Sequence, residues 1–173
     1  MEFVKMGIIG VGNMGSTHSK SIVDGLVPGM QLVAIADRDP NRRTWAKENL
    51  PESVTIFEEG DDLIDSGICD GVIIATPHYQ HPVLAIKAMK KGLHVMCEKP
   101  AGVYTKAVRE MNEVAAQCDV TFAMMFNQRT NCVFRKMREL VQSGQYGQIK
   151  RVNWIITDWY RAQSYYDSGA WRA

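Results

Sequence analysis

Glycines at 10, 12 and 15 break an apolar run, Met6-Gly7-Ile8-Ile9-Gly10-Val11-Gly12-Asn13-Met14-Gly15, and a helix-compatible segment follows at once. That order of residue types suits a dinucleotide pyrophosphate. Gly10 permits a tight turn, Gly12 lets backbone approach phosphate, and Gly15 lets the helix pack close to the strand. Free N–H groups at the helix start, Asn13 and Met14 among them, would face the anion together with the positive end of the helix dipole. Glycine triplets also arise in ordinary loops, so the motif needs its surroundings.

Asp37 closes the second apolar run, about 20 residues on, where a dinucleotide site places a carboxylate for the adenosine ribose. A strand-terminal Asp is also a common turn or helix starter. The carboxylate would repel a 2′-phosphate, which favours NAD, while the neighbouring Arg38 guanidinium could pair with that phosphate and keeps NADP open. Thr76 and Pro77 follow the third long apolar run, on the sheet edge where ligands bind, and could shape a loop against the cofactor; a plain strand-to-helix turn explains them nearly as well. His81 suits capping or packing at its helix start better than acid–base work, and it counts with Glu98 and Lys99 among the cofactor-binding candidates. His18 reads as packed on its helix, and His94 lies in a strand.

Glu98-Lys99-Pro100 ends the fifth strand on the same edge. A lysine there is a compact cation with three donors. Beside a nicotinamide, Lys99 can hold a substrate hydroxyl or carbonyl oxygen and stabilise negative charge during hydride transfer, and Glu98 could orient it. A surface charge pair of little energetic weight is the plainer alternative.

These residues need a scaffold, and the pattern predicts one. Strands are expected over 3–9, 31–36, 54–57, 70–75, 93–97 and 120–125. Helices are expected between them: one carrying Met14, His18, Ile22 and Leu26 on one face, one opening at Asp39-Pro40, and others over 61–66, 81–92 and 105–117. Six alternations with short connections predict an α/β fold with a doubly wound parallel sheet. After Phe126 the pattern changes. A helix is expected over 131–143, then a long half-exposed strand over 149–160 with Val152, Trp154 and Ile156 on one face. The boundaries are 1–126 for a complete first domain and 127–173 for the incomplete start of a second α+β domain. Such an opening strand lacks partners, so the chain beyond Ser143 is expected to be ill-ordered or to pair with another copy.

The 173 residues are 46% apolar and 23% charged with net charge +1, which leaves no footprint for nucleic acid. Neither a membrane span nor a signal peptide is visible. The four cysteines (69, 97, 118, 132) are widely separated with no CxxC, so buried free thiols in a reducing cytoplasm are expected and no metal site is proposed.

Three spaced motifs together resemble the Gfo/Idh/MocA oxidoreductase family: Gly10-x-Gly12-x-x-Gly15-x-x-His18, Ala75-Thr76-Pro77-x-x-x-His81, and Gly92-x-His94-Val95-x-x-Glu98-Lys99-Pro100. Tyr165-Tyr166-x-Ser168-Gly169 followed by Trp171-Arg172 is similar to the family's crossing into its second domain. The resemblance implies an NAD(P)-binding Rossmann domain, a second domain whose open sheet often forms a homo-oligomer interface, and a catalytic or substrate-positioning role for Lys99. It also implies that Trp171 and Arg172 contact cofactor or lie near the substrate pocket. The expected activity is a dehydrogenase or reductase acting on a secondary alcohol or carbonyl of a sugar, inositol or related polyol. Family members run to roughly twice this length, and a downstream histidine normally accepts the substrate proton. That general base is expected beyond Ala173, so the chain reads as a fragment, inactive alone. A non-catalytic NAD(P)-binding regulatory or redox-sensing module is the alternative.

Overall fold

The apolar run before the first glycine forms β1 (Val4–Ile9), whose last four residues are buried. The computed structural model describes residues 3–157, 160–167 and 169. The chain divides into two compact units, Met1–Met125 and Phe126–Ala173.

In the first unit, strands β1, β2 (Met30–Ala36), β3 (Thr55–Phe57), β4 (Gly71–Ile74), β5 (His94–Glu98) and β6 (Phe122–Met125) alternate with helices. These are α1 (Asn13–Val23), α2 (Pro40–Asn49), α3 (Gly60–Asp65), α4 (His81–Lys90) and α5 (Thr105–Gln117). The strands form one sheet in the order β3-β2-β1-β4-β5-β6, and every neighbouring pair is parallel. The strand order reverses between β1 and β4, and such a switch point opens a crevice at the carboxyl ends of the strands. Both faces are covered, and β4 is accordingly buried at all four positions.

Register explains why residues three apart share a face. Met6 pairs with Leu32 but Gly7 pairs with Ala34, so Val33 is an extra residue in β2. This bulge puts Leu32 and Ile35 in the same cluster as Met6 and Ile8. It also brings Ala36 level with Ile9, and Asp37 emerges beside the Gly10 turn. Ile9, Ala34, Ala36, Val72, Ile74, Val95 and Cys97 form the core of the other face. Ile8, Ile35 and Ile74 are completely buried, each worth about 1.5–3 kcal/mol in transfer from water.

Helix α1 departs from the expected face. It ends at Val23, its buried residues are Gly15, Ser19 and Ile22, and Met14 and Leu26 are exposed. Spacing by fours matched Met14 and Leu26 to the stripe, but Leu26 lies beyond the helix end.

The second unit holds α6 (Cys132–Gln142), capped by the Asn131 side chain, and α7 (Gln163–Asp167). The expected strand over 149–160 is corrected: residues 149–157 adopt no regular structure. A strand is held by a ladder, and among the described residues of this unit no other strand offers one. Trp154 instead stacks its ring on Phe134 of α6, with centroids 6.2 Å apart and planes at 18°. Helix α7 was not legible in the sequence pattern.

Candidate active site

The glycine turn follows β1 at the switch point. Gly10 has φ +89°, and a Cβ there would lie 2.9 Å from the Ala75 and Thr76 backbone of the adjoining strand end. Only glycine fits that conformation and that approach. At Gly15 an added Cβ would run into the Gly10 carbonyl oxygen, whereas at Gly12 it would meet nothing within 4 Å. The space over Gly12 is open, and Gly12 is also the N-cap of α1, where no side chain caps the helix. The first amides of α1, at Asn13, Met14 and Gly15, form a ready receptor for an anion.

A cleft of about 400 Å³ adjoins this turn, lined by Gly10, Asp37, Arg38, Thr76 and Pro77 among others. Asp37 is half-buried. Its Oδ2 accepts the Val11 amide at 2.6 Å, and its Oδ1 accepts the Asp39 amide at 2.9 Å. The carboxylate thus braces the glycine turn, and its remaining lone pairs can still accept from a ribose hydroxyl. Thr76 Oγ1 is buried without a hydrogen-bond partner. An orphaned hydroxyl in the wall of a cleft costs stability unless something fills its valence, and a dinucleotide hydroxyl, amide or phosphate has the polar atoms to do so. Open amides, a carboxylate with lone pairs to spare and an orphaned hydroxyl together fit a nicotinamide dinucleotide.

Glu98 and Lys99 stand at the end of β5, next to β4 on the same edge. Glu98 is 6% exposed. Its Oε1 meets His18 Nε2 at 2.8 Å and its Oε2 accepts the Lys99 backbone amide at 3.1 Å. Glu98 therefore acts on Lys99 through the backbone rather than through the ammonium. The reading of His18 as merely helix-packed is corrected by this contact, which ties α1 to the lysine loop. Lys99 itself is exposed.

His81 is 1% exposed. Its Nδ1 lies 2.7 Å from the Pro100 carbonyl oxygen and its Nε2 lies 2.8 Å from that of Thr76. Both ring nitrogens face carbonyl oxygens, and which of them donates depends on the tautomer. Both nitrogens are engaged by backbone carbonyls, which corrects the expectation of a direct cofactor contact from His81. It braces the Thr76 loop against the Lys99-Pro100 loop. The His78 ring meets His81 edge-on with centroids 5.8 Å apart, and it is held below the usual histidine value, first by burial, then by the His81 ring and the Lys99 ammonium. Burial and the adjacent Glu98 push Cys97 up to about 12, and burial with Asp70 pushes Cys69 up to about 11, so both are inert thiols. Cys132 is exposed and Cys118 intermediate, which corrects the expectation of four buried cysteines.

Trp171 and Arg172 lie outside the described residues. Glu58, Glu59 and Arg43, which surround Asp37 and Arg38, escaped the sequence reading. Their signal was available: Glu58 and Glu59 follow β3, the strand beside β2, at its carboxyl end.

Comparison with known proteins agrees with this geometry. The model of an oxidoreductase family with an NAD-binding Rossmann fold, Gfo/Idh/MocA, matches residues 4–126. An inositol 2-dehydrogenase of Rubrobacter xylanophilus is 32% identical over 147 residues, covering 84% of this chain and 42% of the relative. A glucose-6-phosphate 3-dehydrogenase of Bacillus subtilis is 30% identical, covering 84% of this chain and 40% of the relative. The crystal structure of scyllo-inositol dehydrogenase from Lactobacillus casei with bound NAD(H) and scyllo-inositol superposes with a TM-score of 0.80 at 30% identity, covering 86% of this chain and 43% of that one. The chain thus spans less than half the length of these relatives. With the glycine turn at the switch point, Asp37 beside it and the family model spanning the whole sheet, the chain belongs to the Gfo/Idh/MocA oxidoreductase family and carries its NAD-binding Rossmann domain.

Proposed function

We propose that the full-length protein is an NAD-dependent oxidoreductase acting on a secondary alcohol or carbonyl of a sugar, inositol or related polyol. The observation that carries this reading is the placement of the open glycine turn and Lys99 at one sheet edge, after β1 and β5, with only β4 between them. Strand spacing puts Asp37 and Lys99 about 14 Å apart along that edge, with the glycine turn and Thr76 between.

The amides of residues 12–15 would hold the pyrophosphate, Asp37 the adenosine ribose, and Thr76 and Pro77 the cofactor flank over β4. A nicotinamide held there would supply the hydride chemistry. Lys99 donates to the substrate oxygen and stabilises its negative charge in either direction. Glu98 and His18 fix the lysine backbone relative to α1, and His81 fixes it relative to the Thr76 loop. Names of the relatives support inositols and sugar phosphates as the substrate class. Residues 127–173 would open a domain that completes the substrate site and mediates homo-oligomerisation. Among the described residues no helix is long and apolar enough to cross a membrane, and the free cysteines suit a reducing cytoplasm.

The test is Lys99→Met in the full-length protein, assayed with NAD and inositols. Turnover should fall on the order of a hundredfold or more while NADH still binds. Normal turnover would overturn the role given to Lys99.

A further inference from the structure

Asp37 and Arg38 pull a 2′-phosphate in opposite directions, and their side chains alone leave the outcome open. The surroundings tip it. Arg38 Nε donates to Glu59 Oε2 at 2.7 Å. Arg43, the other guanidinium beside Asp37, donates through Nη1 to the carbonyl oxygens of Asp37 and Arg38 at 2.8 Å each. Its Nη2 lies 3.5 Å from Glu58 Oε2. Both of these guanidiniums are thus held by carboxylates from the neighbouring strand end. The cleft is lined by Asp37, Asp39, Glu58, Glu59 and Asp61, with Arg38 as the one basic residue among its lining. Asp61 pairs with Lys87 at 2.8 Å, and the other four carboxylates line the cleft with Arg38.

We propose that Glu59 is a specificity-determining residue that withholds Arg38 from a 2′-phosphate, so that the site selects NAD(H) over NADP(H). This rests on the dinucleotide reading above. To bind the phosphorylated cofactor, Arg38 would have to leave Glu59, and the dianion would then sit beside the carboxylates of Asp37, Asp39, Glu58 and Glu59. A free 2′-hydroxyl meets neither obstacle, since it donates to Asp37 and carries no charge. The Arg38 and Glu59 side chains are 68% and 40% exposed, so solvent and salt screen the contact and its effect is a matter of several-fold. Glu59 is the N-cap of α3 but makes no side-chain cap bond, so its exchange for Gln leaves the helix start intact.

The experiment measures NADH and NADPH dissociation constants by nucleotide fluorescence and calorimetry, for the parent chain, Glu59→Gln, Arg38→Ala and the double variant. The parent should bind NADH at least about tenfold more tightly than NADPH. Glu59→Gln should tighten NADPH binding about three- to tenfold, change NADH binding less than about twofold, and lose most of this gain at 0.5 M salt. In the Arg38→Ala background the gain should vanish, because the cation that Glu59 restrains is gone. An unchanged NADPH-to-NADH ratio in Glu59→Gln overturns the proposal. So does a gain that survives in the double variant, which would mean diffuse charge without release of Arg38. Failure of the parent to bind either dinucleotide overturns the site reading itself.

Discussion

Burial holds His78 below the usual histidine value, and the His81 ring and the Lys99 ammonium lower it further. Removing a positive neighbour favours the protonated imidazole. Lys99→Met should therefore raise the His78 titration midpoint followed by NMR; an unmoved midpoint would place the ammonium elsewhere. The sign for stability follows. The folded ring binds its proton less readily than the unfolded one, so stability contributed at this position is lost as pH falls below about 6.5. At this scale the sequence marked which residue types matter but left most of their partners unassigned. Lys99 and Asp37 stood out as strand-end residues. That Glu98 would meet His18, 80 residues away in the chain, was not readable from either. A motif preserves spacing along the chain and says nothing of which atoms face each other across the sheet.

Among elements, the β1 turn and α1 carry two distinct demands on glycine, and substitution separates them. Gly15→Ala drives a Cβ into the Gly10 carbonyl, a backbone atom that cannot swing aside. The cofactor-free protein should lose about 1–3 kcal/mol, read as a lower melting temperature. Gly12→Ala adds a methyl to open space, so the apo melting temperature should stay within what about 1 kcal/mol allows. NADH affinity should nonetheless drop at least about tenfold, because the methyl occupies the approach to the helix amides. Equal behaviour of the two variants would contradict the division of roles. The alternation of elements was legible because periodicity and turn glycines are local. The Val33 bulge was not, since an extra residue in a strand appears only against its partner's register.

For the whole chain, the buried apolar core runs from Met6 to Met111, within the first unit. We expect residues 1–125 expressed alone to melt cooperatively and to bind NADH with affinity close to that of the full 173 residues. Absence of a cooperative transition would show that the second unit is needed for folding. The second unit was the least legible part: Val152, Trp154 and Ile156 alternate as a strand should, yet residues 149–157 are irregular and all three side chains are exposed. Alternation states a preference for a half-buried pleat, and the preference is realised only where a partner strand supplies the ladder.

The sequence by itself determined the strand–helix alternation, the glycine turn, and the set of polar residues at strand ends. Each of these depends on residues within a few positions of one another, where backbone sterics and side-chain period act directly. Tertiary structure alone decided how those strand ends are wired. Arg38 is held by Glu59, His81 by Thr76 and Pro100, and Glu98 by His18, across separations of 21, 5, 19 and 80 residues. Sheet order brings these groups to one edge, and sheet order is set by how both faces are buried rather than by any local pattern.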